Sequence, residues 1–171
     1  METIEKKKKK QFETVAVGGT FDELHKGHKM LLKKAFQVSE HVFVGLSSDE
    51  FVTKMNKPHK TASYTERLDV LTYFLVKSKY KNRFEISPLH NSYGFTLCKD
   101  KNIDALIVSQ ETVKTGEIIN KKRVEADLPP LHIIQIDLVP ADNKKPISTT
   151  CIRTNEIDKN GHLIKHKKQM R

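Results

Sequence analysis

Short apolar segments rich in β-branched residues alternate with amphipathic segments along the chain, and this alternation restricts the fold more than any other feature. A strand pattern followed by a helical pattern, repeated five times, favours a parallel sheet with helices on both faces. The 171 residues fit one such domain. We therefore predict a single α/β domain with a doubly wound sheet of five parallel strands. The predicted strands cover residues 12–17, 41–46, 83–87, 105–108 and 132–139.

The segments between the strands carry helical signals of different strength. Ser63 and Glu66 have the spacing of a capping box, and Ser148 is a candidate N-cap. The predicted helices cover residues 28–39, 63–78, 95–101, 116–126 and 148–157. In a Rossmann-like sheet, ligands bind beyond the carboxyl ends of the strands, near the point where strand order reverses. We therefore expect the site in the loops after Val17, Leu46 and Val108.

Most of the net charge of +10 lies at the two ends of the sequence. Residues 1–10 hold five lysines against two glutamates, and residues 165–171 hold three lysines and one arginine, so residues 11–164 keep about +3. Blocks of like charge repel and stay solvated. We expect a basic disordered N-terminal tail at 1–11, a single folded domain at 12–160 and a basic C-terminal tail at 161–171.

Composition excludes several classes of protein. No apolar run approaches a membrane span, and the first ten residues have no apolar core of a signal peptide. The two cysteines, Cys98 and Cys151, form no metal-binding or disulfide pattern, which favours a reducing, cytoplasmic compartment. We therefore expect no membrane partner.

The loop after the first predicted strand reads GGTFD at residues 18–22, followed by His25, Gly27 and His28. Two glycines let the backbone approach a ligand closely, and the N–H groups of a following helix favour a phosphate. Two imidazoles three residues apart can donate hydrogen bonds to phosphate oxygens where charge grows during transfer. The segment is not a Walker A motif, and no third zinc ligand stands nearby.

This pattern resembles the HxGH signature of the nucleotidyltransferase superfamily. Residues 147–153, ISTTCIR, resemble a second signature of that superfamily, an ISSTxIR-like segment about 120 residues further on, with Thr149 where serine is common. Within the superfamily, the chain is most similar to phosphopantetheine adenylyltransferases of the archaeal and eukaryotic type over roughly residues 12–160. The supporting segments are YTERL at 64–68, Pro88-Leu89 with Tyr93-Gly94, VSQET at 108–112, Gly116 with Ile119-Asn120, and LPPL at 128–131.

The resemblance implies adenylyl transfer from ATP to 4′-phosphopantetheine, which yields dephospho-coenzyme A and pyrophosphate. The phosphate of 4′-phosphopantetheine is already a nucleophile at neutral pH, so positioning and electrostatics do most of the work. Mg²⁺ is expected to arrive on the ATP phosphates, with no metal site of the protein's own. No kinase domain is present in the sequence, so a separate dephospho-coenzyme A kinase would act downstream.

The resemblance also assigns residues. His28, Thr20 and Lys60 would be catalytic, with Lys57 as the nearby rival of Lys60 for the nucleophilic phosphate. The remaining residues expected to bind ATP or substrate are Gly18, Gly19, Phe21, His25, Ser109, Glu111, Asn120, Arg123, Ser148, Thr149 and Thr150. Arg123 would replace an arginine that relatives often have at Gln110. Asp22 is expected to hold its own turn by an Asx-type bond.

Other functions stay open at this stage. A cytidylyltransferase or an FAD-type adenylyltransferase would carry the same signatures, and only substrate tests separate them. A basic nucleic-acid-binding protein is the alternative from another class. The small charge of residues 11–164 and the lack of interleaved aromatic and basic residues argue against nucleic acid as a partner.

Overall fold

The computed structural model describes residues 9–164 and contains one five-stranded sheet. All neighbouring strands are parallel, in the order β3-β2-β1-β4-β5. The strands are β1 Phe12–Gly19, β2 Ser39–Ser47, β3 Phe84–Leu89, β4 Ala105–Ser109 and β5 His132–Ile136. The helices are α1 Lys26–Val38, α2 Asp49–Lys54, α3 Tyr64–Lys77, α4 Val113–Glu125 and α5 Thr149–Arg153, with a 3₁₀ helix at Gly94–Leu97. The predicted α/β architecture is confirmed.

The two faces of the sheet bury alternate residues of the same strands. Val15 and Val17 of β1 pack with buried side chains of α1 and α3, whereas Ala16 packs with Phe95 of the 3₁₀ helix and Ile119 of α4. Side chains alternate along a strand, so a strand buried on both faces reads as one continuous apolar run. The central strands are therefore recognisable in the sequence as apolar runs. No helix within residues 9–164 has the length and apolar content needed to cross a membrane.

Element ends differ from the sequence predictions for local reasons. The predicted strand at 132–139 ends at Ile136, because its neighbour β4 ends at Ser109, the register partner of Ile136. The predicted helix at 148–157 ends at Arg153, and Asn155 then turns the chain at a φ of 57°. The capping box of Ser63 and Glu66 at the start of α3 is confirmed.

Helix α2 was not predicted from the sequence. Helix α2 follows β2 directly, with Ser48 as its N-cap and two acidic residues, Asp49 and Glu50, in its first turn. These are ordinary start signals of a helix. The helix has only six residues in all, which is too short to show a clear 3.6-residue apolar period.

The C-terminal part of the domain packs around a small apolar cluster of its own, formed by Ala141, Ile147, Ile152 and Ile157. The chain then continues onto this cluster. Gly161 is buried, its carbonyl accepts from the Asp142 N–H, and the Ile164 N–H donates to the Glu156 carbonyl. The expected boundary at residue 160 therefore falls inside a folded segment, which corrects the start of the C-terminal tail.

The expected end of the N-terminal tail at residue 11 also needs correction. Lys10, which the sequence analysis placed in the basic tail, donates to the carbonyls of Phe36 and Gln37 at the end of α1. Arg83 donates to the Phe36 carbonyl as well. Cations at a helix C-terminus satisfy its last carbonyls and oppose its dipole. The rest of the expected tails, residues 1–8 and 165–171, lies outside the described residues.

We predict that a chain of residues 9–160 is less stable than one of residues 9–164. The shorter chain loses the backbone hydrogen bonds of Gly161 and Ile164, each contributing about 0.5–1.5 kcal/mol. The melting temperature should fall by about 5 °C, as followed by circular dichroism. Equal melting temperatures for the two chains would restore the boundary at residue 160.

Candidate active site

A cavity of about 600 Å³ opens beyond the carboxyl ends of β1 and β4, where the strand order reverses. Its walls include residues of the loops that follow β1, β2 and β4, together with the start of α5. The reversal leaves a crevice because the connections from the two central strands leave in opposite directions. The cavity therefore collects the loops on which the sequence signatures lie.

Most of the site residues expected from the sequence line this one cavity. These are Gly18, Gly19, Thr20, Phe21, His25, His28, Ser109, Glu111, Ser148, Thr149 and Thr150. Three others do not line it, namely Lys60, Asn120 and Arg123.

His25 and His28 form a stacked pair at the start of α1, with ring centroids 3.7 Å apart. His25 is the N-cap, and its Nδ1 accepts from the Gly27 N–H at 3.1 Å. Nδ1 of neutral His25 is therefore unprotonated, which leaves the proton on Nε2. A Cβ on Gly27 would stand 3.0 Å from the His25 ring, so the glycine between the histidines makes room for the stack.

Burial keeps both imidazoles neutral. Desolvation lowers the pKa of His25 to about 4, partly opposed by the charge of Asp22. Desolvation lowers the pKa of His28 to about 3, and the neighbouring His25 and Lys57 add to the effect. Nδ1 of His28 is inaccessible and has no hydrogen-bond partner within residues 9–164. Near neutral pH, the pair can therefore donate neutral N–H groups to a ligand.

The N-terminus of α1 is less open than the sequence suggested. The Lys26 N–H donates to the Lys159 carbonyl at 2.9 Å, and the Gly27 N–H donates to His25. The first two N–H groups of the helix are thus already paired within the protein. These two N–H groups are therefore not free to bind phosphate, which corrects that part of the expectation.

Lys57 points into the cavity and Lys60 does not. Lys57 Nζ donates to Thr20 Oγ1 at 3.0 Å, whereas Lys60 is exposed and borders a neighbouring cleft. Desolvation lowers the pKa of Lys57; the charge of Asp22 opposes the shift and that of Arg67 adds to it. The structure thus places the rival lysine, rather than Lys60, beside Thr20. The chain turns at Asn56 with a φ of 49°, a detail that spacing alone does not reveal.

Arg67 of α3 fixes the loops around Lys57 and Thr20. Its side chain is almost fully buried and donates to the carbonyls of Thr20 at 3.0 Å, Ser47 at 2.7 Å and Ala62 at 2.9 Å. It also pairs with the Asp49 carboxylate at 2.8 Å. One guanidinium therefore joins the ends of β1 and β2 to the segment before α3, using its fixed fork of donors.

Asp22 joins the first signature to the second. Its carboxylate is fully buried and accepts from Arg153 Nε at 2.9 Å and Nη2 at 2.8 Å, and from the Ala62 N–H at 3.2 Å. Burial alone would raise the pKa of Asp22, but these hydrogen bonds and the charge of Arg153 outweigh it and lower the pKa. Asp22 is structural, as expected, yet through distant partners rather than the local Asx-type bond.

The hydroxyls of the second signature have different partners. Ser148 Oγ caps α5 by accepting from the Cys151 N–H, and Thr149 Oγ1 donates to the Asp22 carbonyl at 3.1 Å. Thr150 Oγ1 lies 3.3 Å from Nδ1 of His59. Two of the three hydroxyls therefore have a structural bond to keep, and the bond of Thr150 leads to another side chain that lines the cavity.

Asn120 and Arg123 of α4 hold the turn before β5 instead of lining the cavity. The Asn120 amide bonds both backbone groups of Leu131, at 2.8 Å and 2.7 Å. Arg123 is almost fully buried and donates to the carbonyls of Pro129, at 2.8 Å, and of Thr96. Backbone groups that leave water need hydrogen-bond partners, and the two side chains supply them for this turn. This corrects the placement of both residues at the ligand.

Part of the cavity wall is apolar. Leu89, Phe95 and Ile119 contribute to this wall. The Leu89 side chain would lie 2.7 Å from a Cβ on Gly45, so this glycine makes room for the leucine. The cavity thus combines donors and a cation with apolar surface.

The sequence did not predict that His59 lines the cavity or that Arg67 fixes the loops around it. Arg67 lies within the segment YTERL, and arginine is usually exposed, so the sequence gives no sign that this side chain is buried. His59 lies in a loop without any periodic pattern. Within residues 9–164, no group of three or more His, Cys, Asp or Glu side chains is arranged to hold a metal ion.

Comparisons with known proteins agree with this geometry. A family model described as cytidylyltransferase-like matches residues 16–155. Two relatives named phosphopantetheine adenylyltransferase come from Pyrococcus furiosus and Methanothermobacter thermautotrophicus. The first is 42% identical over 94% of this chain and 99% of its own length, and the second is 41% identical over 92% and 93%. The chain belongs to the phosphopantetheine adenylyltransferase family.

A solved structure supports the same fold. A protein of unknown function from Archaeoglobus fulgidus is 31% identical and superposes with a TM-score of 0.64 over 72% of this chain and 89% of its own. The resemblance inferred from the two signatures, and the nucleotidyltransferase class that it implied, are confirmed.

The two neutral histidines predict how stability depends on pH. Unfolded histidine binds a proton near pH 6.5, whereas folded His28 does so near 3, so unfolding takes up a proton between these values. The free energy of unfolding should therefore fall as the pH drops below about 6.5, by up to about 1.4 kcal/mol per pH unit for each histidine. Denaturant titrations at a series of pH values measure this slope.

His28→Gln cannot titrate, so its slope between about pH 6 and pH 4 should be clearly smaller. His132→Gln serves as the control, because His132 is exposed on β5. If His28→Gln kept the full slope, the neutral state of His28 in the folded protein would be wrong.

Proposed function

We propose that the chain transfers the adenylyl group of ATP to 4′-phosphopantetheine, giving dephospho-coenzyme A and pyrophosphate. One observation carries this proposal: the stacked histidines, Thr20 with Lys57, and Thr150 all face a single cavity at the switch point of the sheet. The relatives are named for this activity, and the match covers nearly the whole length of each of them. The arrangement gathers donors and a cation for phosphates.

In the proposed reaction, an oxygen of the 4′-phosphopantetheine phosphate attacks the α-phosphorus of ATP. The new bond joins that oxygen to phosphorus, the bond from the α-phosphorus to the bridging oxygen breaks, and pyrophosphate leaves. The attacking phosphate needs no general base, so the protein positions the two phosphates and stabilises the added charge. Neutral imidazoles suit this task. The reaction needs no proton transfer, so the rings have only to donate hydrogen bonds to the phosphate oxygens.

Each residue has a role in this proposal that its position supports. Nε2–H of His28 donates to the α-phosphate, and His25 donates beside it, because the Nδ1 of each ring faces the protein. Lys57 Nζ, held at Thr20, neutralises the incoming phosphate. The apolar wall near Leu89 and Phe95 suits the adenine ring or the pantetheine arm.

Mg²⁺ fits this site as an ion carried by the ATP phosphates. The buried carboxylate nearest to the signatures, Asp22, is already occupied by Arg153 and the Ala62 N–H. A hexacoordinate Mg²⁺ usually keeps waters and binds phosphate oxygens. Its chemistry would be to neutralise charge on the nucleotide phosphates.

We further propose that the reaction takes place in the cytoplasm and that a separate kinase consumes the product.

The decisive experiment supplies the purified protein with ATP, Mg²⁺ and 4′-phosphopantetheine and measures pyrophosphate release. Pantetheine, which lacks the phosphate, is the matched control substrate and should give none. Parallel reactions with CTP, or with FMN as the acceptor, test the cytidylyltransferase and FAD-type alternatives. Faster turnover with either of those substrates would overturn the proposal.

Replacing His28 should remove most of the activity. His28→Ala should lower turnover by about 100-fold or more, the scale of losing one strong donor to the transition state. The same pyrophosphate assay measures it, and circular dichroism shows whether the variant is folded. A folded variant within about threefold of the parent would remove His28 from the mechanism.

Lys57 and Lys60 form a matched pair for testing the cationic contact. Lys57→Ala should raise KM for 4′-phosphopantetheine by about tenfold or more and change KM for ATP less, because its charge faces the attacking phosphate. Lys60→Ala should stay within about threefold, since Lys60 is exposed outside the cavity. The reverse result would return the role to Lys60.

A further inference from the structure

His59 is a third histidine at the cavity, and it lies between the two signatures. Its side chain is 9% exposed, and it borders both the cavity and the neighbouring cleft. Nδ1 lies 3.3 Å from Thr150 Oγ1, and Nε2 lies 3.9 Å from Asp22 Oδ2. Nε2 is inaccessible and forms no hydrogen bond in the described part of the chain. The ring therefore connects a fixed carboxylate to a hydroxyl that faces the ligand space.

The neighbours of His59 decide which nitrogen of the neutral ring carries the proton. A bare lone pair on Nε2 would face the Asp22 carboxylate in a buried place, which is repulsive, so the proton belongs on Nε2. Nδ1 then accepts, and the Thr150 hydroxyl must donate to it. In that state, Thr150 presents only oxygen lone pairs to the cavity, and these repel a phosphate oxygen.

A second proton on His59 reverses this bond. With Nδ1 protonated, the ring donates to Thr150 Oγ1, and the hydroxyl proton of Thr150 becomes free to point into the cavity. The imidazolium also faces Asp22 with Nε2–H. The same heavy-atom positions therefore provide a phosphate donor in one protonation state and no donor in the other.

We propose that His59 is a positioning residue that takes up a proton from solvent when the phosphates of ATP bind, and so turns the Thr150 hydroxyl towards them. The proposal rests on the proposed function only in taking ATP as the ligand. The negative charge of the phosphates stabilises the imidazolium, and the imidazolium makes Thr150 a donor. Proton uptake and phosphate binding are therefore linked, and each favours the other.

The charges around His59 leave room for this added proton. The charge of Asp22 is matched by Arg153, so it does not by itself force His59 to be cationic. Charged groups on the cleft side are Glu23, Asp49, Glu66, Lys57, Lys60 and Arg153. Titratable groups on the cavity side are His25, His28, Tyr93, Glu111, Asp137 and Lys57. Cations and carboxylates are balanced in the cleft, so the bound phosphates supply the uncompensated negative charge.

Isothermal titration of Mg²⁺-ATP into the protein, without an acceptor substrate, tests the proposal. Heats measured in two buffers of different ionisation enthalpy give the number of protons taken up per ATP bound. The parent protein should take up a substantial fraction of a proton more than His59→Asn. Proton exchange by ATP itself is common to all variants, so the difference between them belongs to the protein.

His59→Asn is the informative variant because its amide can stand near the Nδ1 position and bond Thr150 without titrating. Between about pH 6.5 and pH 8.5, the ATP affinity of the parent should fall by about tenfold more than that of His59→Asn, because only the parent carries the ring that takes up the proton. Thr150→Val should lose the extra proton uptake as well, because protonated Nδ1 then has no acceptor.

The surface provides a matched control. His90 also lies beside a carboxylate, 3.7 Å from Glu50, but both side chains are largely exposed. His90→Asn should leave proton uptake and the pH dependence of ATP affinity unchanged.

The outcomes separate this proposal from the proposed function. Equal proton uptake by the parent and His59→Asn, or an equal loss of ATP affinity at every pH, would overturn the role of His59 and leave the adenylyl transfer standing. Proton uptake that depends on His59 in a protein that does not convert 4′-phosphopantetheine would support His59 and reject the reaction. A parent protein that does not bind ATP would reject both.

Discussion

The ion pair between the buried Asp22 carboxylate and Arg153 is the contact on which the site depends. The two residues are 131 positions apart, and the pair brings the helix that carries the histidines against the helix that carries the hydroxyls. Glu23 pairs with both Arg153 and Lys159, and the Lys159 carbonyl accepts from the first N–H of α1. A buried charge without its partner is strongly unfavourable, so each half of the site stabilises the other half in place.

The sequence was most informative where burial imposes a period. Strands buried on both faces read as apolar runs, and α1 and α3 repeat apolar residues at helical spacing, so the order of elements could be predicted. Ends of elements were less certain, because they depend on partners in space. The end of β5 follows from the length of β4, and the segment after α5 follows from the cluster around Ile157. Neither constraint appears in the local sequence.

The same distinction separates the predicted site residues that line the cavity from those that do not. Residues within the two signatures could be placed at the cavity because their strand and helix positions were predictable. Side chains outside the signatures depended on three-dimensional bonds. Asn120 and Arg123 have the residue types of ligand contacts, yet backbone groups of the turn before β5 occupy them. Lys57 and Lys60 differ by three positions in an irregular loop, and only the path of that loop distinguishes them.

Electrostatics then explains why the site uses neutral histidines beside Lys57, the one lysine among residues 9–164 that lines the cavity. Desolvation removes the proton from His25 and His28, so these rings supply directed N–H groups, and Lys57 supplies charge. Three buried cations in the same small volume would repel one another in the absence of ligand and destabilise the fold. Neutral donors avoid that cost, and they gain strength from the low dielectric when phosphates enter. Charge can then be added together with the ligand, at a residue such as His59 that already faces a carboxylate.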